Sequence, residues 1–443
     1  MEVVPRKRRP YSTLEKLEMK KTLVALAAVS AVSAFAQQLP SGANPNPAHN
    51  GFLIIGGFDA SMSNLQYKGG NKYTGVTYNS TSTSQITMVG VEDLGGGLKA
   101  DFNFESDINP TTQYNNGVAS LNGISTANGS ATSTVATANG AAVTNLSGVQ
   151  APATWGSGQV KVGIGGSFGY VGFGAINNAA LDFNQLTGPF GTAWGSGYGV
   201  TQGTVGNGFG SSAKVRYDNS VRYISPSFEG FRGSYTMRNK NDVAANTQFS
   251  STTGKQALSG VQEIAAFYNN GPLNLVFVNQ IDDGNGIAGA ATAANTTTLA
   301  ATTTGAKYTT NSLGGNYTLG KATLYYGRQK MKNDTTADNQ TDRLSVKYAL
   351  TPVVNVMASY NKLTDNATAN TTRVTGLGAD YMLSKMTAIT FRMDRTNDGA
   401  GKLASDQANT SATTNVVGAG FAGTSTASDN QRNRTAVGLR VNF

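Results

Sequence analysis

The chain has 443 residues and no cysteine, with 54 glycines, 18 tyrosines and only 13% charged residues. A disulfide framework, a thiol nucleophile and a thiolate metal site are excluded. The length suits two or three soluble domains or one large closed β structure, and the Gly, Tyr, Thr, Asn and Ser usage favours strands joined by polar loops.

The formal charge is +9, from 34 basic and 25 acidic residues, and the first 36 residues hold seven of the former and three of the latter. Residues 37–443 therefore carry 27 basic against 22 acidic residues. So mild a surplus, without basic runs interleaved with aromatics, argues against nucleic acid as a partner, although it can bias a pore toward anions.

From Met19 the chain reads as a secretory signal: Lys20 and Lys21, an apolar run over residues 23–32, and a small-x-small end at Ala34-Phe35-Ala36. Cleavage is expected between Ala36 and Gln37. The apolar run is too short for a bilayer core of about 30 Å, which needs roughly 20 residues. Residues 1–18 are highly charged and precede a signal that is already complete, so they read as an upstream extension, with translation expected from Met19. No apolar stretch of about 18 residues is found beyond Ala36, so a processed chain (residues 37–443) that enters a membrane must cross it as a closed barrel. The single histidine, His49, lies in a polar stretch and reads as solvated and inert, since one imidazole builds neither a metal cage nor a Ser-His-Asp triad.

Beyond residue 50 the chain repeats one theme, segments of eight to twelve residues with alternating polarity. Over residues 98–105, Leu98, Ala100, Phe102 and Phe104 share one face and Lys99, Asp101, Asn103 and Glu105 the other. Period two is a strand signature. The same pattern sets Leu344, Val346, Tyr348 and Leu350 against Arg343, Ser345 and Lys347, then Ile389, Phe391 and Met393 against Thr390, Arg392 and Asp394. At the end, Val437, Leu439, Val441 and Phe443 oppose Arg440 and Asn442, as a strand closing a barrel at a lipid boundary would. Tight turns are expected at Gly95-Gly96-Gly97, Thr351-Pro352 and Leu383-Ser384-Lys385, whereas 117–156, 283–312 and 400–430 read as long polar loops. Alternation alone also fits a soluble sandwich, and the polar tracts also fit disordered linkers. The unequal connections and the terminal aromatic favour the barrel.

Two look-alike sites fail on geometry. Glu92 and Asp93 are adjacent strand residues pointing to opposite faces, which is unsuited to paired acid–base work. The Gly-rich stretch 163–174 lacks the following helix and the acidic residue of a dinucleotide loop.

Five segments carry a resemblance: Val91-Glu92-Asp93-Leu94-Gly95-Gly96-Gly97-Leu98-Lys99-Ala100; Gly165-Gly166-Ser167-Phe168-Gly169-Tyr170-Val171-Gly172-Phe173-Gly174; Asp218-Asn219-Ser220-Val221-Arg222-Tyr223-Ile224-Ser225-Pro226; Gly378-Ala379-Asp380-Tyr381-Met382-Leu383-Ser384-Lys385; and the terminal Val437-Gly438-Leu439-Arg440-Val441-Asn442-Phe443. In this order they resemble the Gram-negative general porins, in particular the trimeric type of β-proteobacteria, across essentially residues 37–443. The resemblance implies an all-β transmembrane antiparallel barrel of about sixteen strands, with short periplasmic turns, long extracellular loops and a third loop folded into the lumen. It also implies a homotrimer in the outer membrane, in contact with lipid and lipopolysaccharide, whose C-terminal strand with Phe443 engages the barrel-assembly machinery. No cofactor, metal or catalytic residue is implied.

The third loop then corresponds to about residues 175–212, with Gly188, Pro189, Phe190 and Gly191 similar to the family's Pro-containing tip. Charged side chains facing one another across that constriction would set selectivity. Arg216, Arg222, Lys99 and Arg440 lie on polar strand faces and are the basic candidates, with Asp182 and Asp101 as acidic partners. The strand is expected to end at Gly174 and is followed by Ala175-Ile176 where the family usually has Arg-Gln, and Gly158 stands at another position where Arg is common, which weakens the family's anion preference. The expected function is a passive water-filled channel for small hydrophilic solutes and ions. The alternative is a structural or adhesion barrel whose surface loops bind a partner. An outer-membrane hydrolase would have only His49 as its base.

Overall fold

The computed structural model describes residues 50–68, 72–108, 110–111, 135–136, 142–143, 156, 158–198, 200–201, 215–240, 259–284, 306–334, 337–400 and 431–443. The strands are β1 (Gly51–Tyr67), β2 (Lys72–Tyr78), β3 (Gln85–Gly95), β4 (Leu98–Asp107), β5 (Val135–Ala136), β6 (Ala142–Val143), β7 (Val160–Gly166), β8 (Gly169–Asn177), β9 (Arg216–Ile224) and β10 (Phe231–Arg238). They continue with β11 (Gly260–Asn270), β12 (Leu273–Asp283), β13 (Lys307–Leu319), β14 (Ala322–Asn333), β15 (Asp338–Thr351), β16 (Val354–Asp365), β17 (Thr371–Met382), β18 (Thr387–Asp398) and β19 (Gln431–Asn442). Among the described residues one helix, α1 (Ala179–Leu186), comes after β8.

Apart from the small β5–β6 pair, every strand joins one antiparallel sheet that closes through β1 against β19. β1 pairs with β2 over its second half and with β3 over its first, so β2 and β3 are collinear pieces of one stave. The result is a closed barrel of 16 staves, matching the about sixteen strands that the resemblance implies. Closure satisfies each backbone group between neighbours and leaves no open edge, which is the condition for crossing a bilayer with strands.

Alternation is resolved by which face meets what. Outward-facing Phe102, Phe173, Ile264, Leu344, Leu377 and Val437 are exposed, while inward-facing Arg343, Asn361, Arg392, Asp394 and Arg434 are buried. A soluble sandwich would show the reverse. The aromatic and aliphatic belt lies outside, where acyl chains replace water as the solvent.

Connections at one end are tight, at 96–97, 167–168, 225–230, 271–272, 320–321, 352–353 and 383–386. The three glycines expected to turn the chain do so with positive φ at Gly95, Gly96 and Gly97 (+80°, +61°, +82°), conformations that a side chain resists. At the other end, 108–159, 178–215, 239–259, 284–306 and 399–430 are long, while 68–71, 334–337 and 366–370 are short. Most of the long tracts fall outside the described residues, as do His49, Ala36 and Gln37.

Two expectations need correction. The loop expected over 283–312 ends earlier, because residues 307–312 already pair with β12 as the start of β13. The strand expected to stop at Gly174 runs to Asn177, with a register shift between Gly174 and Ile176 where Gly174 takes φ +135°. A bulge there lets the chain pass the irregularity and keep pairing.

Candidate functional site

The inner wall is not uniformly polar. On β11 and β12 the inward residues Ala265, Phe267, Val276 and Val278 are apolar, and Ala179 and Phe183 of α1 pack on them with Leu186 at the margin. α1 therefore lies inside the barrel, and the connection between β8 and β9, the third at the long-loop end, folds into the lumen as expected.

Charge holds both ends of α1. Asn178 caps the helix by accepting from the Ala180 N–H at 3.1 Å, and the Ala179 N–H donates to Glu263 Oε1 at 2.8 Å. Asp182, in the first turn, accepts from Arg222 Nη2 at 2.7 Å, and Arg222 Nη1 donates to the Asn177 carbonyl at 2.7 Å. At the opposite end Arg343 Nη1 donates to Asn184 Oδ1 at 3.0 Å and Thr187 Oγ1 at 2.7 Å. Acids at the N-terminus and a cation at the C-terminus both match the helix dipole.

Beyond α1 the segment runs along the wall. Gly188 sits beside Arg343, and the Phe190 ring lies 5.7 Å from the Arg392 guanidinium. Phe190 fits because β17 offers Gly378 there, where a Cβ would lie 2.8 Å from the ring. The segment reaches further than Gly191. The Trp194 ring faces Arg434 at 4.6 Å, and Arg434 in turn pairs with Asp394 at 2.5 Å. The Gly195 N–H donates to Asp394 Oδ2 at 2.9 Å, and its carbonyl accepts from Ser359 Oγ.

Residues 79–84, between β2 and β3, form the landing on the other side. Buried Asp59 accepts from the Thr81 N–H at 2.6 Å, the Thr81 hydroxyl at 2.7 Å and the Ser82 N–H at 3.2 Å. The Ser80 carbonyl so positioned accepts from the Trp194 N–H at 3.3 Å. The third loop thus spans from β8 round to the β2–β3 stave.

The structure brings some of the expected residues together. Arg222 and Asp182 form a buried ion pair, with side chains 1% and 2% exposed, so the pair anchors the loop. Arg216 pairs with Glu105 at 3.3 Å and donates to Asn177 Oδ1 at 2.7 Å. Asp101 pairs with Lys161, and Tyr170 donates to the same carboxylate at 2.8 Å. Lys99 stands three residues from the tight-turn end of its hairpin, opposite Asp93 and Gly165. Arg440 stands near the end of β19, opposite Asp59 and Ala388. Neither of these two belongs to the loop anchorage.

Sequence reading missed Glu263, Lys161, Asp394, Arg434 and the anchoring role of Arg343. One signal was available: Leu275-Val276-Phe277-Val278 is a continuous apolar run in an otherwise alternating chain, the mark of a strand covered on both faces. Asn178 before Ala-Ala-Leu-Asp was also a legible helix start.

The arrangement is a charged inner wall narrowed by a docked loop that itself carries little charge, since Asp182 is the only ionisable residue in 175–212 apart from Tyr198. Among the described residues no group of three or more His, Cys, Asp or Glu side chains is placed to hold a metal.

Comparison with known proteins agrees with this geometry. Residues 22–401 match the family model described as Gram-negative porin. An outer membrane porin protein of Bordetella pertussis is 28% identical over 273 residues, and the chain spans 58% of that relative's length, with 58% of its own. Among solved structures, an anion-selective porin from Comamonas acidovorans superposes with TM-score 0.59 at 18% identity, covering 89% of this chain and all of that one. The trimer form of OmpT, an outer membrane protein of Vibrio cholerae, gives TM-score 0.52 at 12% identity, over 89% of this chain and all of that one. The chain belongs to the Gram-negative porin family, and its place is the outer membrane.

Proposed function

We propose that this barrel is a passive, water-filled diffusion channel for small hydrophilic solutes and ions. The observation that carries the reading is a loop docked inside a lipid-facing barrel, at one end by the buried Arg222–Asp182 ion pair to the wall and at the other by the Gly195 N–H on Asp394 and Trp194 against Arg434, two wall residues that pair with each other. A docked loop narrows a bore without closing it, and sixteen staves leave room for water beside it. Because the loop's one carboxylate is already paired, the field on passing ions comes mainly from the wall, where Arg216, Asp101, Lys99 and Arg440 stand. No residue is assigned a catalytic role, and nothing in the family match or the neighbours supports the adhesion reading.

A homotrimer is the assembly this reading favours, since the trimer form of an outer membrane protein is among the structural neighbours. Lipid and lipopolysaccharide would surround it, and Phe443 would present the last strand to the assembly machinery. Export uses residues 19–36 as a signal, with processing between Ala36 and Gln37. Single-channel recordings of purified trimer in planar bilayers test the function: ohmic conductance with a reversal potential across a salt gradient is expected, and its absence from folded protein would refute it.

A further inference from the structure

The described part of the third loop covers only some of the inner wall. α1 packs on β11–β13, Gly195 lies against Gly376 of β17, and the Thr201 carbonyl accepts from the Thr341 hydroxyl of β15 at 2.6 Å. With Trp194 against Arg434 of β19, these residues follow the wall from β11 to β19. They leave β3, β4 and β7–β10 uncovered, and there a passing ion meets the wall rather than the loop.

Two sets of hydrogen bonds place Glu105 on that stretch at the level of the loop. Arg216 donates to Glu105 Oε1 at 3.3 Å and to Asn177 Oδ1 at 2.7 Å. The Gln159 N–H donates to Glu105 Oε1 at 3.3 Å, and Gln159 Oε1 accepts from the Asn177 N–H at 3.0 Å. Asn177 directly precedes the helix cap Asn178, so the carboxylate stands where the loop leaves the wall. Glycine at 158 gives it room, since a Cβ there would lie 2.4 Å from Glu105 Oε1. Asp107 is two residues further along β4 on the same face, near enough to Glu105 and Arg216 to interact with both.

Two carboxylates thus share the Arg216 guanidinium. The Glu105 and Arg216 side chains are 13% and 23% exposed, against 2% for Asp182 and 0% for Asp394, so this group is open to the lumen where the loop anchors are not. An acidic group in a narrow aqueous gap with low-dielectric walls concentrates cations and depletes anions. The basic surplus of the chain lies elsewhere. Lys161 is held by Asp101, and Arg232, Lys347 and Arg440 stand toward the tight-turn ends of their strands. The undescribed residues between 69 and 430 carry Lys214, Lys255 and Lys402 against Asp242, Asp406 and Asp429, and so no net charge.

We propose that Glu105 and Asp107 set the ion selectivity of this channel and make it prefer cations, against the sign of the chain as a whole. The inference rests on the diffusion-channel reading and names the class of ion that the channel favours.

The test is the reversal potential of full-length protein purified from outer membranes, in planar bilayers across a KCl gradient in mildly alkaline buffer. The permeability ratio of potassium to chloride is expected to be about 3 for the parent in dilute salt, about 1 for E105Q/D107N, and higher than the parent's for R216Q. At about 1 M salt, where the screening length is about 3 Å, the parent's ratio is expected to approach unity. A general loosening of the pore moves every variant toward unity, so the rise in R216Q separates lost charge from lost structure. A parent ratio below unity, an E105Q/D107N ratio equal to the parent's, or a fall in R216Q would each overturn the proposal. Anion-preferring conductance refutes this inference alone, whereas folded parent protein that does not conduct refutes the channel reading and this inference with it.

Discussion

Asp182→Ala removes the acid from a pair whose side chains are almost fully buried, leaving the Arg222 guanidinium inside the barrel without its closest counter-charge. Breaking such a pair costs about 3–5 kcal/mol. Two features of the structure set the value within that range. Glu263 is near enough to Arg222 to interact with it electrostatically, and the Asn177 carbonyl still accepts from Nη1, so the residual charge is not bare. The first turn of α1 also loses a favourable dipole contact, worth roughly 0.3–1 kcal/mol. The expected cost is about 3 kcal/mol, or about two decades in the ratio of docked to undocked loop. The barrel wall itself is held by backbone pairing that this side chain does not touch, so the deficit falls on the loop. Single-channel recordings are expected to show more open-channel noise and closure at lower voltage, with the barrel's melting temperature little changed. Traces indistinguishable from the parent, with no new protease cleavage within 187–198, would mean that the Arg222–Asp182 pair does not hold the loop.

The same anchorage sets further outcomes. Arg343→Leu leaves Asn184 and Thr187 without their donor and strips the cation from the C-terminal end of α1, so looser gating is expected in recordings, at a cost of about 1–3 kcal/mol to loop docking. Gly376→Val places a Cβ where one at that position would lie 2.5 Å from the Gly195 Cα, so the loop must shift by roughly 1–3 kcal/mol of overpacking. Its conductance is expected to change while heat-modifiable gel mobility of the barrel does not. Deleting Phe443 removes both closing hydrogen bonds with Gly56, each 3.1 Å, and is expected to lower the amount of barrel in outer-membrane fractions several-fold on immunoblots. N-terminal sequencing of the processed protein is expected to begin at Gln37.

The barrel was legible in the chain because a strand's two faces alternate strictly with residue number, so Leu344, Val346 and Tyr348 announce one solvent and Arg343 and Ser345 another. Turns were legible for a similar local reason, since Gly95, Gly96 and Gly97 satisfy φ angles that few other residues adopt. Parity could not say which face meets lipid, because a sandwich uses the same pattern, and closure of β1 on β19 decides it.

The channel interior depends on tertiary structure in a stronger sense. Arg222 and Asp182 were both singled out as charged residues of the lumen, but their burial against each other results from where α1 lands. That landing depends on an apolar patch contributed by β11 and β12, some 80 to 100 residues further along the chain. Residue number fixes a side chain's face within its own strand. It carries no record of which distant stave stands across the lumen, and so Trp194 meeting Arg434, and Ser80 receiving the Trp194 N–H, are decided only when the sheet closes.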